Sequence, residues 1–202
     1  MENNKKPKKK EYHFNIICFT IDKEKYQPLI IIKKYLSLEQ CSNIKYSKEN
    51  IEYDHSTNPS NGRMTKCHFT EILDTNKISD KCSLADSYLI FIDLESDEIE
   101  TETEEILYYI KTNGKEDLKY YFIGVYLDMN NVSCLNNKEE MNEYFNSKKI
   151  NYEYTELNYN STDDLVKILN HITNDTLKNK EFESLNKTLE KKDPSNSACD
   201  IF

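Results

Sequence analysis

Glycine is nearly absent from this chain: Gly62, Gly114 and Gly124 are the only three in 202 residues. Phosphate cradles of the Walker or dinucleotide-binding kind need several glycines beside a strand, so that backbone N–H groups can approach the phosphates. No such run can be written anywhere in the sequence. Arginine is scarcer still. Arg63 stands alone among 27 basic residues, which leaves almost no donors for bidentate recognition of phosphates or bases. With 36 acidic residues and a net charge of −9, the composition argues against nucleic acid as a partner. No apolar run approaches the roughly 18 residues that a membrane-spanning helix needs. Residues 1–10 are polar and lysine-rich with no apolar segment behind them, so the expectation is a cytoplasmic protein whose six cysteines are free thiols. Neither a CxxC pair nor a Cys/His cluster at metal spacing occurs, which argues against zinc.

What is present reads as one domain between two polar tails. At 37% hydrophobic and 11% aromatic, the chain can still bury a sizeable core. Residues 1–11 gather Lys5, Lys6, Lys8, Lys9 and Lys10 around Pro7 and read as a disordered basic arm. The run HFNIICFT (13–20) is too continuously apolar for a half-exposed edge and predicts a buried parallel strand. A helix is expected over about 24–36, and residues 37–62 read as polar and irregular, closing in a turn cluster from Asn58 to Gly62. Further strands are expected at 66–73, 87–94 (SYLIFIDL), 120–127 (YYFIGVYL) and 150–157. Ile99, Thr103, Ile106, Leu107 and Ile110 fall at helical spacing, as do Met141, Tyr144 and Phe145. A last helix carries Leu165, Ile168, Leu169 and Ile172 behind the capping-box-like pair Ser161 and Asp164. From about Lys180 the pattern decays into a charged tail.

The resulting organisation is a basic arm (1–11), a domain (12–180) and a flexible tail (181–202). Strand and helix alternate through the domain, which implies a three-layer α/β fold: a mostly parallel sheet with helices on both faces. Ligands of such sheets sit at the carboxyl ends of the strands. His13, His55, His68 and His171 are scattered, with no Ser or Cys nucleophile pattern around them, so no catalytic residues are assigned.

At those strand ends the chain resembles a small GTPase of the Ras/Rab type, over about residues 13–180. Ile72-Leu73-Asp74-Thr75 resembles the strand end of the family's metal-side motif, and Ala85-Asp86 precedes the next strand as Gly-Ala-Asp does in Rabs. Ile123-Gly124-Val125-Tyr126-Leu127-Asp128 resembles the Gly-Asn-Lys-x-Asp guanine motif. Residues 152–170 resemble the family's last strand end and final helix. The resemblance implies a P-loop-GTPase-like sheet, and the departures imply that its chemistry is lost. Where the family has Gly-x4-Gly-Lys-Ser/Thr, this chain has Thr20-Ile21-Asp22-Lys23-Glu24-Lys25-Tyr26-Gln27. Tyr26 stands in the place of the phosphate lysine, Gln27 in that of the magnesium-binding hydroxyl, and Asp22 and Glu24 would repel phosphate. Lys77 replaces the glycine that senses the terminal phosphate, and Val125 and Tyr126 replace the guanine-binding Asn and Lys. Lysine, cradle, metal ligand and water-positioning side chain are what phosphoryl transfer needs.

The resemblance therefore implies a pseudo-GTPase: no enzyme, no cofactor, and Asp74, Thr75 and Asp128 as remnants of a nucleotide site. The bland alternative for Asp74 and Asp128 is that carboxylates are common at strand ends as turn and cap residues. Protein partners would bind through the degenerate switch regions, about 37–66 and 75–86. The chain ends Cys199-Asp200-Ile201-Phe202, a Cys-a-a-X sequence whose terminal Phe points to geranylgeranylation of Cys199. One lipid anchors only marginally, and the lysine arm is the candidate second signal, each lysine contributing about 1 kcal/mol near an anionic leaflet. The expected location is the cytosolic face of a membrane, in membrane traffic or signalling. Two alternatives remain open at this level. One is an atypical GTP-binding protein, with Asp128 on guanine and Asp74 on magnesium through water. The other is a flavodoxin- or receiver-like interaction domain, from which an antiparallel strand near 45–55 would distinguish a GTPase-like sheet.

Overall fold

The computed structural model of the protein describes residues 12–20, 41–47, 50–57, 65–73, 80–115, 117–128 and 138–190. Seven strands make one sheet: β1 Tyr12–Thr20, β2 Cys41–Tyr46, β3 Asn50–Thr57, β4 Thr65–Ile72, β5 Ser87–Asp93, β6 Tyr120–Tyr126 and β7 Tyr152–Asn158. Their order across the sheet is β2-β3-β4-β1-β5-β6-β7. From β4 to β7 all neighbours are parallel. β3 runs antiparallel to β4, and β2 antiparallel to β3. Three α-helices occur among the described residues: α1 Ile99–Asn113, α2 Lys138–Ser147 and α3 Thr162–Glu190. The fold is α/β with a mostly parallel, mixed sheet.

The uninterrupted apolar strands follow from burial on both faces. All seven residues of β5 are buried. One face presents Phe14, Ile16, Cys18, Phe69, Leu89, Phe91, Tyr121 and Ile123, packed with Leu165, Leu169, Ile172 and Leu177 of α3. The other presents Ile17, Phe19, Tyr88, Ile90, Ile92, Tyr120 and Phe122, packed with Ile106, Tyr109 and Ile110 of α1 and Met141 and Phe145 of α2. Each such side chain contributes about 1.5–3 kcal/mol when fully buried.

Three elements differ from the sequence expectation. Residues 37–62 are not irregular where the structure describes them, since 41–46 and 50–57 are strands. The apolar alternation that would have revealed β3 is missing because one of its faces carries Glu52 and Asp54, with Ile51 buried on the other. Glu52 pairs with Lys81, and Asp54 with Lys66 and His68, so the face is closed by ion pairs instead of hydrocarbon. The last helix runs to Glu190, past Lys180, where the sequence pattern predicts decay into a charged tail. No Gly or Pro interrupts the chain before Pro194, and Phe182, Leu185 and Leu189 continue at helical spacing. The Ser161 hydroxyl donates to the Asp164 carboxylate (2.6 Å), a side-chain-to-side-chain bond, whereas a capping box joins each side chain to the other residue's backbone N–H. The helix expected over 24–36 lies outside the described residues.

Candidate functional site

Every parallel strand ends at one edge of the sheet, and two buried carboxylates sit there. Glu71, one residue before the end of β4, is 1% exposed, and Asp93, the last residue of β5, is 3% exposed. Asp93 starts the turn into α1. Its Oδ1 accepts the Glu95 N–H (2.9 Å), and its carbonyl accepts the Ser96 N–H (3.2 Å). Glu95 then reaches across to the end of β6, where its Oε1 accepts the successive backbone N–H groups of Leu127 (3.0 Å) and Asp128 (3.1 Å). Consecutive N–H groups at a strand end are the kind of donor that holds an oxygen of an anionic ligand. Here the protein's own carboxylate takes them.

Asp128 is therefore brought beside Glu95, held through its backbone with an exposed side chain. Asp74, Thr75 and Cys199 lie outside the described residues, as do 21–27 and Lys77. Of the strand-end residues that are described, Glu71, Asp93, Glu95 and Asp128 share one sign of charge. A polyphosphate at this edge would meet carboxylates in a partly desolvated setting, where like charges repel more strongly than in water.

The described thiols are chemically quiet. Cys18, Cys67 and Cys82 are free and buried. Burial, with Glu71 adding to it, pushes Cys18 well above the usual thiol range, and burial raises Cys67 and Cys82 to about 11. None offers a thiolate near neutral pH. Among the described residues no group of His, Cys, Asp and Glu could hold a metal ion.

No protein-family model and no curated protein matches the chain.

Two polar networks were not foreseen from the sequence. On β3 and β4, His68 Nδ1 lies 2.7 Å from Asp54 Oδ1, with Lys66 on the same carboxylate and Lys81 on Glu52. The Lys81 hydrogen bond holds Glu52 below the usual carboxylate range. At the opposite end of the sheet, Lys119 Nζ bridges Glu153 (2.7 Å) and Asp175 (2.6 Å), and the Tyr121 hydroxyl donates to Asp175 (2.7 Å). His171 Nε2 lies 2.7 Å from the other oxygen of Glu153. These partners lie on β6, β7, α3 and the β6 approach, so only the folded topology unites them. No local sequence signal could have found them.

Asp175 gives this network a pH signature. Partial burial raises its pKa, but the bonds from Lys119 and Tyr121 outweigh that and leave it lowered. A carboxylate lowered in the folded state adds stability above its unfolded value, about 3.9, and loses that contribution as pH falls through the folded value. Asp175→Asn is expected to cost about 1–2 kcal/mol near neutral pH. The gap should close as pH falls below about 4. Urea unfolding of both proteins across that range checks it, and a cost independent of pH would refute the ion-pair origin.

Proposed function

We propose that this protein is a degenerate small GTPase of the Ras/Rab type, a membrane-anchored adaptor or scaffold in membrane traffic or signalling that does not hydrolyse GTP. The observation that carries the reading is strand order with direction. The run β3-β4-β1-β5-β6-β7, with β3 alone of these antiparallel to its neighbour, supports this reading because it is the order and sense expected of a P-loop-GTPase-like sheet. An all-parallel flavodoxin- or receiver-like sheet would not contain β3 in that sense. β2 is an addition on the outer edge.

The carboxyl edge supports the loss of nucleotide chemistry. In the resemblance Thr20 to Gln27 aligns with the family's phosphate loop, and this run lacks glycine and adds Asp22 and Glu24. The neighbouring strand ends supply Glu71, Asp93 and Glu95, and Glu95 already occupies the β6 donors. On this reading the fold no longer serves an anion site, and what remains for it to do is present surfaces. The charged face of β3 and β4, with Glu52, Asp54 and Lys66 in the 37–66 region and Lys81 in the 75–86 region, suits a protein partner that reads charge and shape. Anchoring would come from geranylgeranylated Cys199 with the lysines of the arm. No described helix is long and apolar enough to cross a membrane.

The test is nucleotide extraction from purified full-length protein, with intact mass recorded on the same sample. Less than stoichiometric GDP or GTP is expected, and a prenyl adduct on protein from a host with the transferase. Stoichiometric nucleotide would overturn the pseudo-GTPase reading. A Cys199→Ser variant that still partitions to membranes would overturn the anchor.

A further inference from the structure

The poles of the sheet differ in their balance of charge. At the carboxyl pole Glu95, Asp97, Glu98, Asp128, Asp163 and Asp164 cluster on the turns into α1 and α3 and at the end of β6, all but Glu95 exposed, with Lys167 pairing Asp164. At the amino pole a groove of about 670 Å³ opens between the end of α1 and the turn from α2 into β7. Tyr108, 73% exposed, stands on its rim with Lys111 one turn further along the helix. Lys149, held at φ 57° in the left-handed region, faces them from the turn. A lysine in that conformation costs of order 1 kcal/mol, which a glycine would avoid. The Lys149 N–H donates to the Asn146 carbonyl (3.2 Å), and neither the Lys111 nor the Lys149 side chain pairs with a described residue. Lys148 neutralises Glu104 on the same wall, which leaves Asp117 as the remaining carboxylate of the described lining.

We infer that this groove is the face the protein turns toward an anionic bilayer, with Lys111 and Lys149 meeting acidic headgroups and Tyr108 lying in the interface. The inference rests on the peripheral-membrane reading above and adds the surface and orientation to it. Three observations favour a bilayer as the occupant. The amino pole is where β1 begins and α3 departs: Lys180 of α3 donates to the His13 carbonyl (2.9 Å) and pairs with Asp86. Both tails thus leave the domain on this side. A chain of net charge −9 is favoured on an anionic surface with its acidic pole turned away. An exposed tyrosine flanked by lysines suits a boundary that is apolar on one side and charged on the other.

Full-length protein is mixed with vesicles of phosphatidylcholine alone or with phosphatidylserine added, and binding is read by co-sedimentation. Salt-sensitive binding to the acidic vesicles alone is expected. K111S/K149S should weaken it about thirtyfold, from about tenfold per 1.4 kcal/mol and about 1 kcal/mol per lysine. K138S/K167S, the same charge loss at the carboxyl pole, should change nothing. Equal losses from both pairs would overturn the inference, since net charge alone would then govern binding. If K111S/K149S binds as wild type while substitution of Lys5, Lys6, Lys8, Lys9 and Lys10 or of Cys199 abolishes binding, the groove assignment fails and the membrane reading stands. That is also the outcome if the groove serves an acidic protein surface. Failure of the prenylated wild-type protein to bind either vesicle would overturn both.

Discussion

Phe145→Ala is expected to lower the free energy of unfolding by about 3–5 kcal/mol. The side chain is fully buried and stacks on Phe122 at 4.0 Å between ring centroids and 20° between planes. Tyr152 and Tyr154 of β7 approach the same ring at 5.2 and 5.8 Å. Aromatic pairs at such separations add about 0.5–1.5 kcal/mol beyond the burial of their area. The loss is concentrated because α2 is short. Met141 and Phe145 are its buried residues, so removing the ring leaves one apolar anchor for the whole helix. The cavity would lie between α2, β6 and β7, too deep in the sheet for neighbouring rings to collapse into it fully. Urea unfolding checks the figure. A lower midpoint with an unchanged slope reports a cavity, whereas a reduced slope reports that α2 has already detached in the native state.

How far the sequence could be read depended on where each element finds its partners. β1, β5 and β6 were legible because burial on both faces writes continuous apolar runs into the chain, and α1 and α2 because their stripes recur at helical spacing. β3 was illegible for the converse reason. Glu52 and Asp54 are satisfied by Lys81, Lys66 and His68, which arrive from later in the chain, so no local alternation marks the strand. β2 follows from β3, since an edge strand needs only a neighbour to pair with. The end of α3 was misplaced because Lys, Glu and Asn crowd residues 178–190 and obscure the helical spacing of Phe182, Leu185 and Leu189. At the carboxyl edge, Asp128 could be named from the sequence. Glu95 could not, because its role is a contact with the N–H groups of Leu127 and Asp128 across the strand ends. The Lys119–Asp175 pair spans 56 residues and exists only once α3 has folded back along the sheet.

On the proposed reading, the acidic edge also bears on how a nucleotide site could be lost without losing its sheet. The strands that define the edge are held by the two apolar faces, and none of that packing depends on a bound phosphate. Carboxylates that would be costly beside a polyphosphate cost little once the ligand is gone, provided that hydrogen bonds satisfy them. Asp93 and Glu95 are satisfied in this way by the N–H groups of Glu95, Leu127 and Asp128. The turn into α1 is thereby fixed by side chains where a ligand could otherwise have ordered it.

Gly124→Ala is expected to cost about 2–3 kcal/mol, and the reason separates packing from a remnant of ligand binding. Gly124 sits in β6 opposite Ile92 of β5 and Glu156 of β7. A Cβ there would stand 2.6 Å from the Tyr154 hydroxyl and 2.9 Å from both terminal methyls of Leu94. Leu94 is 1% and Tyr154 8% exposed, so neither can swing aside into solvent. The other described glycine behaves alike, since a Cβ on Gly114 would lie 2.3 Å from the Tyr88 hydroxyl. Tyr154→Phe removes the nearest atom and leaves the Leu94 contact. The cost of Gly124→Ala should therefore fall by about 1 kcal/mol in a Tyr154→Phe background, a coupling read from a double-mutant cycle of urea unfolding. A glycine retained for a guanine nucleotide would give no such coupling, and its substitution would instead reduce nucleotide carried through purification. Coupling to Tyr154 without any change in bound nucleotide would place Gly124 among the packing residues. One glycine of the family-like set would then survive because two side chains of this sheet leave no room for anything larger.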